Sequence, residues 1–111
     1  MKIKSKFVKT KGIKFYIEDK GKEIARAYLY LIKNDFRKCH YGFIEDVYVE
    51  EEYRHQGLSS NLHKELIKAA KKNKCYKIVA NSRYSHKKVH QFYKKLGFKD
   101  FGKEFKMYLE K

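Results

Sequence analysis

What most limits the fold of this chain is a turn, Arg54-His55-Gln56-Gly57-Leu58-Ser59, set between an apolar strand and an amphipathic helix. Upstream, Phe43-Ile44-Glu45-Asp46-Val47-Tyr48-Val49 is rich in β-branched and aromatic residues, which suits a half-buried strand. Downstream, Leu58, Leu62, Leu66 and Ala69 or Ala70 return at helical spacing. A helix entered this way has unpaired N–H groups and a positive dipole end, so it can hold phosphate oxygens where no bulky side chain intervenes. Gly57 permits close approach of the backbone, Ser59 is small, and Arg54 adds a fixed charge. A pyrophosphate suits that set. Taken alone, the same residues also describe an ordinary strand-turn-helix unit. The chain has neither Gly-x-x-x-x-Gly-Lys-Ser/Thr nor Gly-x-Gly-x-x-Gly, which excludes two better-known phosphate loops.

A second constellation adds weight. Val89-His90-Gln91-Phe92-Tyr93-Lys94-Lys95-Leu96-Gly97-Phe98 follows another strand-like run, Tyr76-Lys77-Ile78-Val79-Ala80, and reads as a short helix ended by Gly97. In this order and spacing the two segments resemble the GCN5-related N-acetyltransferase (GNAT) family. Its first signature is Arg/Gln-x-x-Gly-x-Gly/Ala between a strand and a helix; its second is an aromatic-Tyr pair in a helix, followed by a Gly-Phe step. The likeness runs over about residues 42–102. Ser59 stands where the family has Gly or Ala, and His86 where many members have Asn.

The resemblance implies acetyl-CoA as cofactor and an amine as acceptor. It places the backbone of Val47, Tyr48 and Val49 beside the pantetheine. It gathers Arg54, His55, Gln56, Gly57, Leu58, Ser59 and Ser60 around the pyrophosphate, with His86 as a further cofactor contact. Lysines of the following helix and Lys87-Lys88 come near the ribose phosphate. It also implies that Tyr93 protonates the departing thiolate. A phenol of pKa ~10 and a thiol of ~8.5 are nearly matched for that transfer.

Acetyl transfer to an amine needs a neutral nucleophile as well. Glu45 stands at the expected cleft and resembles the glutamate that polyamine and aminosugar members carry in an Ile/Leu-Glu-Asp step. It can draw the proton off the ammonium directly or through water; the competing reading is a strand-end salt bridge. In a regular strand Asp46 faces the other way, which makes it the weaker candidate. Phe92 and Tyr93, adjacent on a helix, point ~100° apart. That places Phe92 in the core and Tyr93 at the site; packing alone would explain both.

The rest of the chain reads as hairpins. Runs 2–9 and 13–19 flank Lys11-Gly12, Lys20-Gly21 turns into a strand over 23–33, and Asn34-Asp35 turns into 40–50. With 76–80 and 104–109 these give an α+β, GNAT-like mixed sheet of six to seven strands, mostly antiparallel, with two main helices in one domain, 1–111. Family members place helices between their first two strands, and these wall the acceptor site. Here only Thr10-Lys11-Gly12 separates the corresponding runs. Either the site is open to a bulky amine such as a protein or peptide, or a second copy closes it over a small molecule, with Tyr28, Tyr30 and Phe36 available for a homodimer patch.

Charge and cysteine content narrow the classes. Lys and Arg number 28 against 13 acidic residues, a formal charge of +15 that favours an anionic partner. Only Arg26, Arg37, Arg54 and Arg83 are arginine, the residue that best forks phosphates and bases. Lys64, Lys68, Lys71, Lys72, Lys74 and Lys77 read instead as a solvated face, so a nucleic-acid-binding module is a lesser alternative, as is a non-catalytic acyl-CoA-binding relative. Polyamine acceptors are disfavoured by repulsion; an amine on an anionic molecule, such as a phosphorylated aminosugar, fits better. Cys39 and Cys75 lack metal-ligand spacing and read as small buried residues in a reducing, cytoplasmic setting. His55, His63 and His90 read as surface or loop residues with no metal site, and no stretch is long and apolar enough to span a membrane.

Overall fold

Strand β2 (Lys22–Ile32) is the centre of the structure, because its apolar residues fall on every second position. Ala25, Ala27, Leu29 and Leu31 are almost free of solvent, while Arg26, Tyr28 and Tyr30 face the other way and are half-buried. That alternation is the pattern of a strand covered on one face. The computed structural model describes residues 1–110. They form two units, each taken by itself: Met1–Ala80, and the segment from Asn81.

In the first unit, β1 (Lys11–Asp19), β2 and β3 (Tyr41–Val49) form an antiparallel meander, and β4 (Ile78–Ala80) joins β3 in parallel, for the order β1-β2-β3-β4. Lys20 and Gly21 both take positive φ, 54° and 75°, the conformation of a tight hairpin turn. Helix α1 (Leu58–Lys72) carries the chain from β3 to β4 and lays Leu62, His63, Leu66 and Ala70 inward. With Ile44 and the apolar side of β2, these make the core. Gly42 is glycine because a Cβ there would come within 2.9 Å of Leu29 Cδ1.

The sheet is smaller than the sequence suggests. Among the described residues it has four strands, not six to seven; α+β class, mixed sheet and two helices hold. Residues 2–9 and 104–109 form no strand, and Ile3, Phe7, Phe105 and Leu109 are fully or nearly fully exposed. Their apolar alternation is real, but nothing pairs with it. Gly12 misleads for a definite reason: it lies inside β1 opposite Tyr30, whose ring a Cβ would approach to 2.7 Å. The glycine signals a close contact, not a turn.

The second unit holds α2 (Lys87–Lys95). The helix ends where Gly97 takes a φ of 101°. Gly97 N–H donates to the Lys94 carbonyl and Phe98 N–H to the Tyr93 carbonyl, both at 3.0 Å, the paired bonds of a Schellman cap.

Candidate functional site

At the far end of β3 the strand is irregular. Arg26 pairs with Tyr48 but Tyr28 pairs with Glu45, so Ala27 faces two residues, Asp46 and Val47. This is a β-bulge. Asp46 takes a φ of 51°, a conformation that disfavours residues with a side chain. The Arg26 guanidinium forks its carboxylate, Nε to Oδ2 at 3.2 Å and Nη2 to Oδ1 at 3.3 Å, and that bond raises Arg26 above its ordinary pKa. The expectation that Asp46 faces away from Glu45 is therefore wrong. The inserted residue breaks the alternation, and Glu45 and Asp46 are both exposed. The ion pair of this strand end belongs to Asp46 with Arg26.

β4 pairs with β3 only from Gly42 to Ile44, and β3 runs on through residues 45–49. Beyond it the single turn Glu51–Tyr53 is anchored by Tyr53 Oη donating to Asp19 Oδ2 at 2.6 Å, which pushes the phenol pKa up. Arg54 folds back: its Nε donates to the Val49 carbonyl at 2.8 Å and its guanidinium lies 5.6 Å from the centre of the Tyr48 ring. Its charge is thus held at the strand end. His55 and Gly57 both take positive φ, 65° and 80°. His55 and Gln56 are exposed, and Leu58, Ser59 and Ser60 are half-buried.

Gly57 opens α1, and no side chain caps that end. Asn61 N–H donates to the Gly57 carbonyl at 3.0 Å. The amides of Leu58, Ser59 and Ser60 precede that first helical bond, so they project from the helix end. A Cβ on Gly57 would meet nothing within 4 Å. No acidic residue occupies the first turn. Open space, free amides and the positive end of a helix dipole suit an anion.

Beneath this turn lies a residue that sequence reading misplaced. His63 is 2% exposed, not a surface residue. Its Nδ1 donates to the Ser59 carbonyl at 2.8 Å, and burial lowers its pKa despite that bond. Its spacing from Leu66 and Ala70 puts it on the inward stripe of α1, a signal legible in the sequence. Because the folded state disfavours the proton, stability is full above the unfolded value of ~6.5 and falls as pH drops through that value toward the lowered one. Melting temperature should therefore fall on acidification from pH 7.5 to 5.5, and more steeply in the wild type than in a His63→Gln variant. Parallel curves would remove His63 as a cause.

In the second unit, Tyr93 and Phe92 are both half-buried. The Tyr93 ring packs edge-on against Phe98, centroids 5.1 Å apart, and lies 5.8 Å from Phe92. The Schellman cap fixes that Tyr93–Phe98 contact. Burial raises the Tyr93 pKa, so the phenol keeps its proton at neutral pH. His86 is the N-cap residue of α2, and its side chain makes no cap hydrogen bond. His90 Nε2 donates to the Arg83 carbonyl at 2.8 Å. Cys39 is exposed, contrary to expectation, and Cys75 is half-buried with its thiol pKa raised by burial. Among the described residues no three His, Cys, Asp or Glu side chains gather as a metal site, and no helix is long and apolar enough to cross a membrane.

A mixed sheet, a bulged strand and an uncapped helix start make this an α+β unit with an open helix end beside a strand, and comparison gives the family. The model of the acetyltransferase (GNAT) family matches residues 4–98. The chain belongs to that family. GNAT acetyltransferases use acetyl-CoA. A glucosamine 6-phosphate N-acetyltransferase of Trypanosoma brucei brucei is 41% identical over 58 residues, 52% of this chain and 37% of that protein. The chain thus spans little more than a third of the length of that curated relative. A Trypanosoma brucei acetyltransferase structure superposes with a TM-score of 0.78 at 29% identity, covering 88% of this chain and 69% of that one. A glucosamine-6-phosphate N-acetyltransferase structure from Arabidopsis thaliana gives 0.78 at 24% identity, with 89% and 67% covered, and shows the shared fold.

Proposed function

We propose that this chain is an acetyl-CoA-dependent N-acetyltransferase acting on a primary amine carried by an anionic small molecule, a phosphorylated aminosugar being the leading class. The observation that carries the reading is the uncapped start of α1 at Gly57, with open space beside the glycine, directly after a strand that outruns its neighbour. The acceptor class rests on the formal charge of +15 and on the substrate named for the trypanosomal relative.

The amides at Ser59 and Ser60 would hold the pyrophosphate, with Arg54 adding charge beside it and the backbone of Val47, Tyr48 and Val49 running along the pantetheine. His55, Gln56 and Leu58 shape the turn, and His86 is a further contact. Bound acetyl-CoA supplies an activated acetyl thioester with a thiolate as leaving group. Glu45 takes the proton from the acceptor ammonium, directly or through water, and so frees the amine lone pair. Tyr93 carries a proton on Oη and is the acid for the thiolate; burial raises its pKa, which keeps that proton in place but matches the thiol less closely than a free phenol would. The free thiols Cys39 and Cys75 suit a reducing, cytoplasmic compartment.

The test is an acceptor screen read by release of free thiol, run beside melting curves with acetyl-CoA. A ligand that binds the folded state raises its melting temperature. Stabilisation by acetyl-CoA together with thiol release on glucosamine 6-phosphate or a related amine supports the reading. Stabilisation with no turnover on any amine would leave a non-catalytic binder. Glu45→Gln, which keeps shape and removes the base, should lose most activity at low pH, where little free amine exists. A uniform loss across pH would remove Glu45 as base.

A further inference from the structure

The bulge at Asp46 reverses the direction in which β3 presents its backbone. Gly42 N–H donates to the Lys77 carbonyl at 2.9 Å, at the β4 side of the strand. Glu50, just past the end of β3, donates its N–H to the Ile24 carbonyl at 2.8 Å, beside β2. In an uninterrupted strand the backbone groups alternate residue by residue, so two positions an even number apart face the same neighbour. Gly42 and Glu50 are an even number apart and face opposite neighbours. One inserted residue accounts for the reversal, and the register places it at Asp46–Val47. Beyond the insertion Val47 and Val49 turn outward and Tyr48 turns toward β2. The Val49 carbonyl accepts from Arg54 Nε, a residue outside the sheet, which agrees with that direction.

The insertion depends on one residue holding an unfavourable backbone angle. Asp46 stands at φ 51°, in the left-handed region that glycine adopts freely, Asp and Asn at some cost, and alanine at a greater one. Such a conformation persists where its surroundings enforce it. The side chain at this angle is held by the two-bond fork from Arg26 on the neighbouring strand. No local sequence pattern marks the pair, because the partners are twenty residues apart (|i−j| = 20).

We infer that Arg26 and Asp46 are a positioning pair that holds the bulge and so turns the amides and carbonyls of Val47 and Val49 to the open edge of β3, where the pantetheine would pair. The inference rests on the acetyl-CoA reading for its ligand but not for its geometry. Neither residue is given a part in the proton transfers proposed for Glu45 and Tyr93. Asp46→Ala removes the carboxylate and keeps the side-chain penalty; Asp46→Gly removes both.

Two measurements test it. In the first, CoA is titrated calorimetrically into wild type, Asp46→Ala, Asp46→Gly and Arg26→Gln, each shown to be folded by circular dichroism. Asp46→Ala should bind about tenfold more weakly, Arg26→Gln should also weaken binding, and Asp46→Gly should return to within about threefold of wild type. A merely structural ion pair would make Ala and Gly equally weak. In the second, amide exchange is followed by NMR without ligand. In the wild type Val47 and Val49 should exchange faster than Tyr48; Asp46→Ala should blur that contrast and Asp46→Gly restore it. Unchanged CoA affinity in Asp46→Ala, equal weakness in Asp46→Gly, or an exchange pattern indifferent to both would overturn the positioning role. If wild type itself fails to bind CoA, the acetyl-CoA reading falls, and the exchange pattern alone decides the geometry.

Discussion

A Tyr93→Phe variant is expected to bind acetyl-CoA as tightly as wild type and to show a kcat lower by roughly 10²-fold or more, the usual scale for a lost proton donor. The substitution removes one oxygen and leaves the ring. The edge-on contact with Phe98 and the Schellman cap that sets it involve the ring and the backbone, so helix α2 should end as before. The phenol is held protonated by burial, and near neutral pH its supply of protons is constant. Loss in the variant should therefore be similar at each pH in that range, unlike the acid-weighted loss expected of Glu45→Gln. Turnover and melting temperature measured on the same preparation settle the matter. Wild-type turnover in a folded Tyr93→Phe would leave Tyr93 a packing residue.

Gly57→Leu is expected to weaken acetyl-CoA binding by at least roughly 10²-fold, since hydrogen bonds to a charged group are worth ~1.5–3 kcal/mol each and the side chain would obstruct more than one. Two effects have to be separated. At φ 80° any side chain costs ~1–2 kcal/mol of folded-state stability, so some loss of melting temperature comes with the change. Gly57→Ala carries that strain with little bulk. The Cβ enters open space in the present structure, so any affinity lost beyond the alanine variant reports obstruction of the volume over the Ser59 and Ser60 amides. Calorimetry on both variants makes the comparison. Equal affinity of Leu and wild type would move the anion site elsewhere.

Local signals in the sequence identified the local structure. The Lys20-Gly21 turn, the Asn34 turn, the start of α1 at Leu58 and the stop at Gly97 each follow from short-range backbone chemistry, and each is present. Asn34 even makes its own turn, accepting from the Phe36 amide at 3.0 Å. What sequence could not supply was long-range pairing. Residues 2–9 and 104–109 have strand-like alternation, but a strand needs a neighbour, and no local pattern tells whether one is present. The bulge was hidden in the same way. Glu45-Asp46-Val47 reads as unbroken strand, and only the distant Arg26 shows that one residue is inserted. His63 was a different error: it reads, with His55 and His90, as a surface or loop residue although its helical position faces inward.

The order of strands in the sheet is the order of strands in the chain, and this has a consequence for how the sheet assembles. Closing β1 on β2 draws together ends separated by a two-residue turn, and β2 on β3 needs only the short connection over residues 33–40. Bringing β4 beside β3 requires residues 50–77 to be gathered first, for a pairing only three residues long. Loop entropy rises with the logarithm of length, while the reward scales with the residues paired. By loop length alone the meander is the cheaper part of the sheet to close and the β3–β4 pairing the costlier, which packing of α1 on β2 and β3 offsets. The start of α1 at Gly57, the proposed pyrophosphate site, is also where the crossover to the parallel strand begins.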